Sequence, residues 1–241
     1  MRVHSVLKKA KKENISRYPF PHIIIENALD EDLYCQLEKE YPFETKIEGN
    51  SGLGSNIRHQ ISAVDGLRED SRLSNLWKEF VDYHTSYSFY KEVYDLFSAD
   101  ISEKYPFILR EASTGVLYRD SADIFMDCQP GVNTPVTDKS SVKISHIDNP
   151  TQIYASLLYF RDDKDDSSGG DLELYKYASD KYRFHGPRLI KQKYVEATSI
   201  VPYKKNTFVI FLNSINSIHG VTPRGLTKYQ RRLVNIIGST G

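Results

Sequence analysis

The sequence predicts a mainly β fold with flanking helices (α+β): a β-core of the sandwich or barrel type, supported by helices from the N-terminal part. Aromatic-rich helical segments come first. From about residue 108 the pattern becomes short β-branched runs with turn signals between them. Helices first and strands second place the helices on the outside of a β-core. Size agrees: 241 residues, 39% hydrophobic and 27% charged, can bury roughly 70% of their unfolded surface. We therefore expect a support region, 1–107, packed on a core, 108–241, as one structural unit.

Residues 1–17 are Lys-rich and read as a short helix or arm with a solvated face. After Pro19 and Pro21, the run His22-Ile-Ile-Ile-Glu26 reads as a strand. Asp30 is a good helix N-cap, and Leu33, Leu37 and Tyr41 share one stripe before Pro42 ends the helix. The Gly-, Ser- and Asn-rich stretch 44–60 reads as a loop. Helices are expected over about 71–84 and 86–103. Their aromatic residues (Trp77, Phe80, Tyr83, Tyr87, Phe89, Tyr90, Tyr94, Phe97) read as packing surface. Strands are expected over 113–119, 122–128, 142–147, 152–160, 171–177, 195–201, 207–212, 217–221 and 230–237. The acidic run 162–170 reads as a solvated hairpin loop.

Composition excludes several classes. With 32 basic and 32 acidic residues and a pI near 7.1, the chain lacks the basic footprint of a nucleic-acid binder. Cys35 and Cys128 stand far apart with no CxxC, which removes a disulfide framework and a thiolate zinc finger. The basic N-terminus has no apolar core of signal-peptide length, and Phe208–Leu212 is far too short to span a bilayer. The expectation is a soluble, cytoplasmic chain.

Chemistry concentrates at His146-Ile-Asp148 and at His219, 73 residues further on. In a strand, residues i and i+2 point to the same face, so His146 and Asp148 aim an imidazole and a carboxylate into one space. A second His from a later strand completes a triangle. Two His and one carboxylate on one face of a metal leave positions open, the arrangement of non-haem Fe(II) oxygenases; zinc is the competing ion. The last strand, Gln230-Arg-Arg-Leu-Val-Asn-Ile-Ile237, carries two adjacent Arg. One of them can clamp the distal carboxylate of a dicarboxylate through paired, charged hydrogen bonds. Arg231 shares its face with Leu233, Asn235 and Ile237, and the second polar group favours that face over that of Arg232. Arg224, in the turn after Pro223, is a weaker candidate.

These residues carry a resemblance. His146-Ile-Asp-Asn-Pro150, Tyr159, Gly169-Gly-Asp-Leu-Glu-Leu174, His219-Gly-Val-Thr-Pro223 and Arg231, in this order, resemble the Fe(II)/2-oxoglutarate-dependent dioxygenases, and within them the prolyl 4-hydroxylase-like branch. The resemblance covers about residues 110–240, and Pro21–Glu26 with the following helix resembles the entry segment of bacterial and phage members.

The resemblance implies a double-stranded β-helix (jelly roll, cupin-like) core. It implies His146, Asp148 and His219 as iron ligands and Arg231 as the partner of the C5 carboxylate of 2-oxoglutarate, with Tyr159 beside it; Asn235, on the same strand face as Arg231, joins them as a candidate co-substrate contact. Gly169 and Gly170 become structural turn residues. The implied cofactors are Fe(II) and 2-oxoglutarate, with ascorbate as a reductant. The implied partners are O2 and a peptide or small-molecule substrate, peptidyl proline first. A carboxylate at 148, in place of Gly or Ala, implies hydroxylation over halogenation. Gln129 departs from the pattern, standing where those hydroxylases tend to have Tyr, and this weakens the case for proline. Gln129, Tyr182 and His185 are the candidate substrate contacts, within loops 44–60 and 176–194 that would form the mouth. The Arg224-to-Arg231 step is one residue longer than the paired-Arg spacing of the nucleic-acid demethylases. A small-metabolite hydroxylase and a non-catalytic metal-binding jelly roll are the alternatives.

Overall fold

The computed structural model describes residues 3–43, 54–138, 144–179, 181 and 188–240. The β-core is made of two facing sheets. The larger orders its strands β1 (His22–Glu26), β8 (Thr207–Leu212), β5 (Gln152–Tyr159), β10 (Arg231–Thr240), β4 (Ile124–Asn133) and β2 (Arg58–Gln60), with β3 (Thr114–Val116) also pairing with β4. The smaller orders β7 (Val195–Val201), β6 (Leu172–Tyr177) and β9 (Ile218–Val221). Facing sheets of this kind are the jelly-roll core the sequence leads one to expect. β1 and β2 come from the support region but pair inside the larger sheet, so the sheet itself joins the two parts.

Alternation along the strands explains both faces. On β8, Phe208, Ile210 and Leu212 pack towards the helices, while Val209 and Phe211 face the space between the sheets. On β10, Val234 and Ile236 go to the helical side, Leu233 and Ile237 to the interior. A sheet covered on both faces needs apolar residues at every position, which is why Thr207–Leu212 reads as one continuous run.

The helices are α1 (Glu31–Lys39), α2 (Ala63–Gly66), α3 (Asn75–His84), α4 (Tyr87–Leu96) and α5 (Ser98–Lys104). Ser74 and Ser86 cap α3 and α4, each hydroxyl accepting from a backbone N–H three residues on. The single helix expected over 86–103 is divided at Phe97, whose φ of −101° and ψ of 22° leave the helical range. Of the expected packing set, Trp77, Phe80, Phe89, Tyr90 and Phe97 are buried and Tyr83 and Tyr94 half-buried, but Tyr87, in the first turn of α4, is exposed.

Other expectations need correction too. Residues 58–60, at the end of the stretch expected to be a loop, form β2. The N-terminal arm does not present only a solvated face: Val6 and Leu7 are buried in the main core. In the expected strand 142–147, residues 142 and 143 lie outside the described residues, and the rest supplies only a bridge of His146 to His219 and to Leu189. The acidic run is not wholly solvated, because Asp165 and Ser167 are buried.

The N-terminal arm is anchored on His84. This fully buried imidazole has Nδ1 2.7 Å from the Phe80 carbonyl, and its Nε2 accepts the Val6 N–H at 3.2 Å. Burial pushes its pKa down to about 4. Below pH ~6.5 the unfolded chain therefore gains a proton that the folded chain refuses. Stability is expected to fall by about 3 kcal/mol as pH drops from ~6.5 towards 4 from this group alone. Urea melts of wild type and His84→Gln across that range test it; equal pH slopes would refute it.

Candidate metal centre

The 73-residue separation of the two histidines closes through the backbone. The His146 N–H donates to the His219 carbonyl and the His219 N–H to the His146 carbonyl, both at 2.9 Å. They are directly opposed residues of an antiparallel bridge, which brings the ring centroids to 4.2 Å. Asp148 joins from two residues beyond His146. Its Oδ1 lies 3.6 Å from His146 Nε2 and its Oδ2 3.4 Å from His219 Nε2. One ligand atom from each residue falls within 4.8 Å of the others.

Tautomers are set by the main chain. Nδ1 of His146 is 2.7 Å from the Ile144 carbonyl, and Nδ1 of His219 is 3.0 Å from the Ser217 carbonyl. A ring nitrogen facing a carbonyl donates its proton there, which leaves Nε2 of each neutral imidazole as the nitrogen free to ligate on the Asp148 side. His146 Nε2 is buried without a hydrogen-bond partner, an expensive state for a polar atom unless a cation completes it. Two imidazole nitrogens and a carboxylate form a donor set suited to a divalent first-row metal. Phe211 holds the His219 ring from β8, centroid to centroid 4.6 Å.

The triad opens into a cavity of about 240 Å³, lined also by Arg58, Asn133, Gln152, Arg231 and Asn235. Arg231 is buried, and its Nε donates to the Gly170 carbonyl at 2.7 Å, while Nη2 has no hydrogen-bond partner. The rings of Tyr159 and Tyr203 each lie 5.1 Å from its guanidinium carbon. Burial raises the Tyr159 hydroxyl pKa, with the Arg231 charge opposing. Gly169 and Gly170 adopt φ of +75° and +82°. A Cβ on Gly169 would lie 2.0 Å from the Pro223 carbonyl oxygen, so only glycine permits this turn to approach the segment after β9.

Arg232 points the other way. Its Nη2 lies 3.1 Å from Glu38 and its guanidinium covers the Tyr41 ring. Arg224 is fully buried, donates to the Tyr229 carbonyl at 3.1 Å, and sits 3.9 Å from Asp165; it does not line the cavity. Gln129 is also absent from the lining. Its amide nitrogen donates to Asp127 at 2.5 Å, and its oxygen accepts from Asn235 at 3.3 Å, so it reaches the site only through Asn235. Tyr182 and His185 lie outside the described residues. Sequence reading missed Arg58, Asn133 and Gln152. The three-residue strand β2 is too short to show a period, although Arg58 and Gln60 do stand at i and i+2.

Residues 137–236 match the family model for the 2OG-Fe(II) oxygenase superfamily, a span holding all three residues of the triad and Arg231. This stretch of the chain is similar to the 2OG-Fe(II) oxygenase superfamily. Members of that superfamily use Fe(II) and 2-oxoglutarate, and a His-Asp-His triad is in place in this chain. Among solved structures, a prolyl 4-hydroxylase from Phytophthora capsici aligns at TM-score 0.56 and 14% identity, over 98% of this chain and 64% of that one. The non-heme alpha ketoglutarate dependent epimerase SnoN from nogalamycin biosynthesis aligns at TM-score 0.51 and 9% identity, over 96% and 79%. At such identities the likeness concerns the fold. No curated protein matches the chain. No described helix is long and apolar enough to cross a membrane.

Proposed function

We propose that this chain is a hydroxylase, in which His146, Asp148 and His219 hold Fe(II) and Arg231 binds the distal carboxylate of 2-oxoglutarate. The observation that carries the reading is the placing of the triad and of a buried, half-satisfied guanidinium on the walls of one small cavity. Bound iron and 2-oxoglutarate supply the oxidising power, with O2 consumed and succinate and CO2 released as co-products. The protein's part is positioning. The Ile144 and Ser217 carbonyls hold the two imidazoles in the ligating tautomer. The Gly170 carbonyl and the two tyrosine rings fix Arg231, so little side-chain entropy remains to be lost on binding. Val221, Leu172, Phe211 and Ile237 give the cavity its apolar wall, and a dry wall strengthens each charge contact.

The carboxylate at 148 supports hydroxylation. The Phytophthora enzyme's name points to peptidyl proline and SnoN's to a small molecule, so fold likeness leaves the substrate class to the cavity. At about 240 Å³ that cavity falls below the ~300–1,000 Å³ of drug-sized sites. Co-substrate and one small group fit such a space better than a bulky substrate does.

An anaerobic titration with Fe(II) and 2-oxoglutarate, followed through the visible iron-to-keto-acid charge-transfer band, tests the assignment. A band in wild type that is lost in His146→Ala is expected. A well-folded wild type without a band would overturn the reading.

A further inference from the structure

We propose that Arg58 and Asn133 form a second anion subsite in this cavity, and that the substrate oxidised here is a small free carboxylate. The proposal rests on the co-substrate reading above, which assigns Arg231 to 2-oxoglutarate.

Register provides the first support. Arg58 on β2 pairs with Asn133 on β4, and Arg231 on β10 pairs with the same Asn133 from the other side. Directly opposed residues on adjacent strands share a face, so the three side chains form one row across the sheet, and all three line the cavity. Asn133 is fully buried, yet neither its amide nitrogen nor its oxygen has a hydrogen-bond partner. A buried amide in that state costs free energy unless a ligand completes it.

Charge provides the second. Among the described lining residues, Arg58 and Arg231 are the cations and Asp148 is the only acid. Bound Fe(II) adds two positive charges and 2-oxoglutarate removes two, which leaves one positive charge unmatched. Arg58 has no carboxylate partner among the described residues. Its charge is felt by Arg231, Tyr41 and Tyr159, and burial with the like charge of Arg231 lowers its pKa to about 10. The guanidinium nevertheless stays charged at neutral pH. One monoanion neutralises the site.

Position divides the work between the two guanidiniums. Arg231 lies in the interior, locked by Gly170 and two rings. Arg58 is half-buried on the edge strand of the larger sheet, where its Nε contacts Gln60 Oε1 at 3.3 Å. The co-substrate, which must reach the iron with its other end, fits the inner cation. A substrate arriving afterwards meets the outer one.

The test uses the full chain, loaded anaerobically with Fe(II) and saturating 2-oxoglutarate, with melting temperature as the readout. It is titrated with simple aliphatic and aromatic monocarboxylic acids, N-acetylated L-amino acids, the matching primary amides, and inorganic phosphate. We expect at least one acid to stabilise the protein and its amide to bind about tenfold or more weakly. Arg58→Gln should abolish that difference, and Arg58→Lys should retain part of it. In both variants, 2-oxoglutarate should still stabilise the iron-loaded protein. The proposal falls if no acid is preferred over its amide, if phosphate alone stabilises, or if Arg58→Gln abolishes stabilisation by 2-oxoglutarate while leaving the acid-over-amide preference intact. Failure of the underlying reading looks different: 2-oxoglutarate would not stabilise the iron-loaded wild type before any acid is added.

Discussion

Replacement of Arg231 by Gln is expected to weaken 2-oxoglutarate binding by roughly 30-fold to several thousand-fold, the equivalent of the ~2–5 kcal/mol lost when one partner of a buried, hydrogen-bonded charge pair is truncated. The magnitude follows from where the guanidinium sits. It is buried, its Nε is committed to the Gly170 carbonyl, and Nη2 has no partner until a ligand arrives. Gln retains polarity but offers neither the charge nor the forked donors. Arg232→Gln makes the matched control. That side chain faces Glu38 and the Tyr41 ring on the helical side, so its loss should lower the melting temperature and leave co-substrate affinity within about twofold of wild type. Anaerobic titrations of both variants, with circular dichroism to confirm folding, decide the matter. Equal losses of affinity in the two, or none in Arg231→Gln, would remove Arg231 from the site.

Trp77→Ala is expected to destabilise the protein by ~3–5 kcal/mol, a fall in melting temperature of roughly 6–20 °C for a chain of this size. Trp77 is fully buried, and its Nε1 donates to the Leu37 carbonyl at 3.0 Å. Its ring meets Tyr41, Phe80 and Phe160 at centroid distances of 5.4, 5.5 and 5.6 Å. Alanine therefore opens a cavity between α1, α3 and the strand end after β5 and leaves a buried carbonyl unpaired. The damage lies on the opposite side of the larger sheet from the triad. Below the new melting temperature, Fe(II) and 2-oxoglutarate affinities should change by less than about threefold. Thermal melts followed by circular dichroism, with anaerobic titrations of the same samples, check both halves.

How much of this was legible beforehand depended on the range of the signal. Strands β5 to β9 were readable within a residue, and β10 at its start but three residues short at its end, because each is a short run of mostly apolar residues bounded by turn residues. The face of β10 was readable too: Arg231 and Asn235 share a parity with Leu233 and Ile237, and a strand's period of two carries that information locally. Other elements were not. The break at Phe97 turns on a single residue's dihedrals, and the burial of Val6 and Leu7 depends on His84, far along the chain. Arg58 stood at the end of a stretch read as a loop, and its partner Asn133 lay in a segment with no marked motif.

The sequence by itself determined the chemical inventory: the His-x-Asp pair, the distant His, the paired Arg, and the alternation that separates Arg231 from Arg232. Those are properties of residue type and short spacing. Only the tertiary structure decided which groups meet. It joined His146 to His219 by a backbone bridge, turned Arg224 and Gln129 away from the cavity, and aligned Arg58, Asn133 and Arg231 across three strands. The reason is physical. Strand pairing between residues distant in sequence is fixed by the burial of whole sheet faces, a collective property that no local window of residues contains.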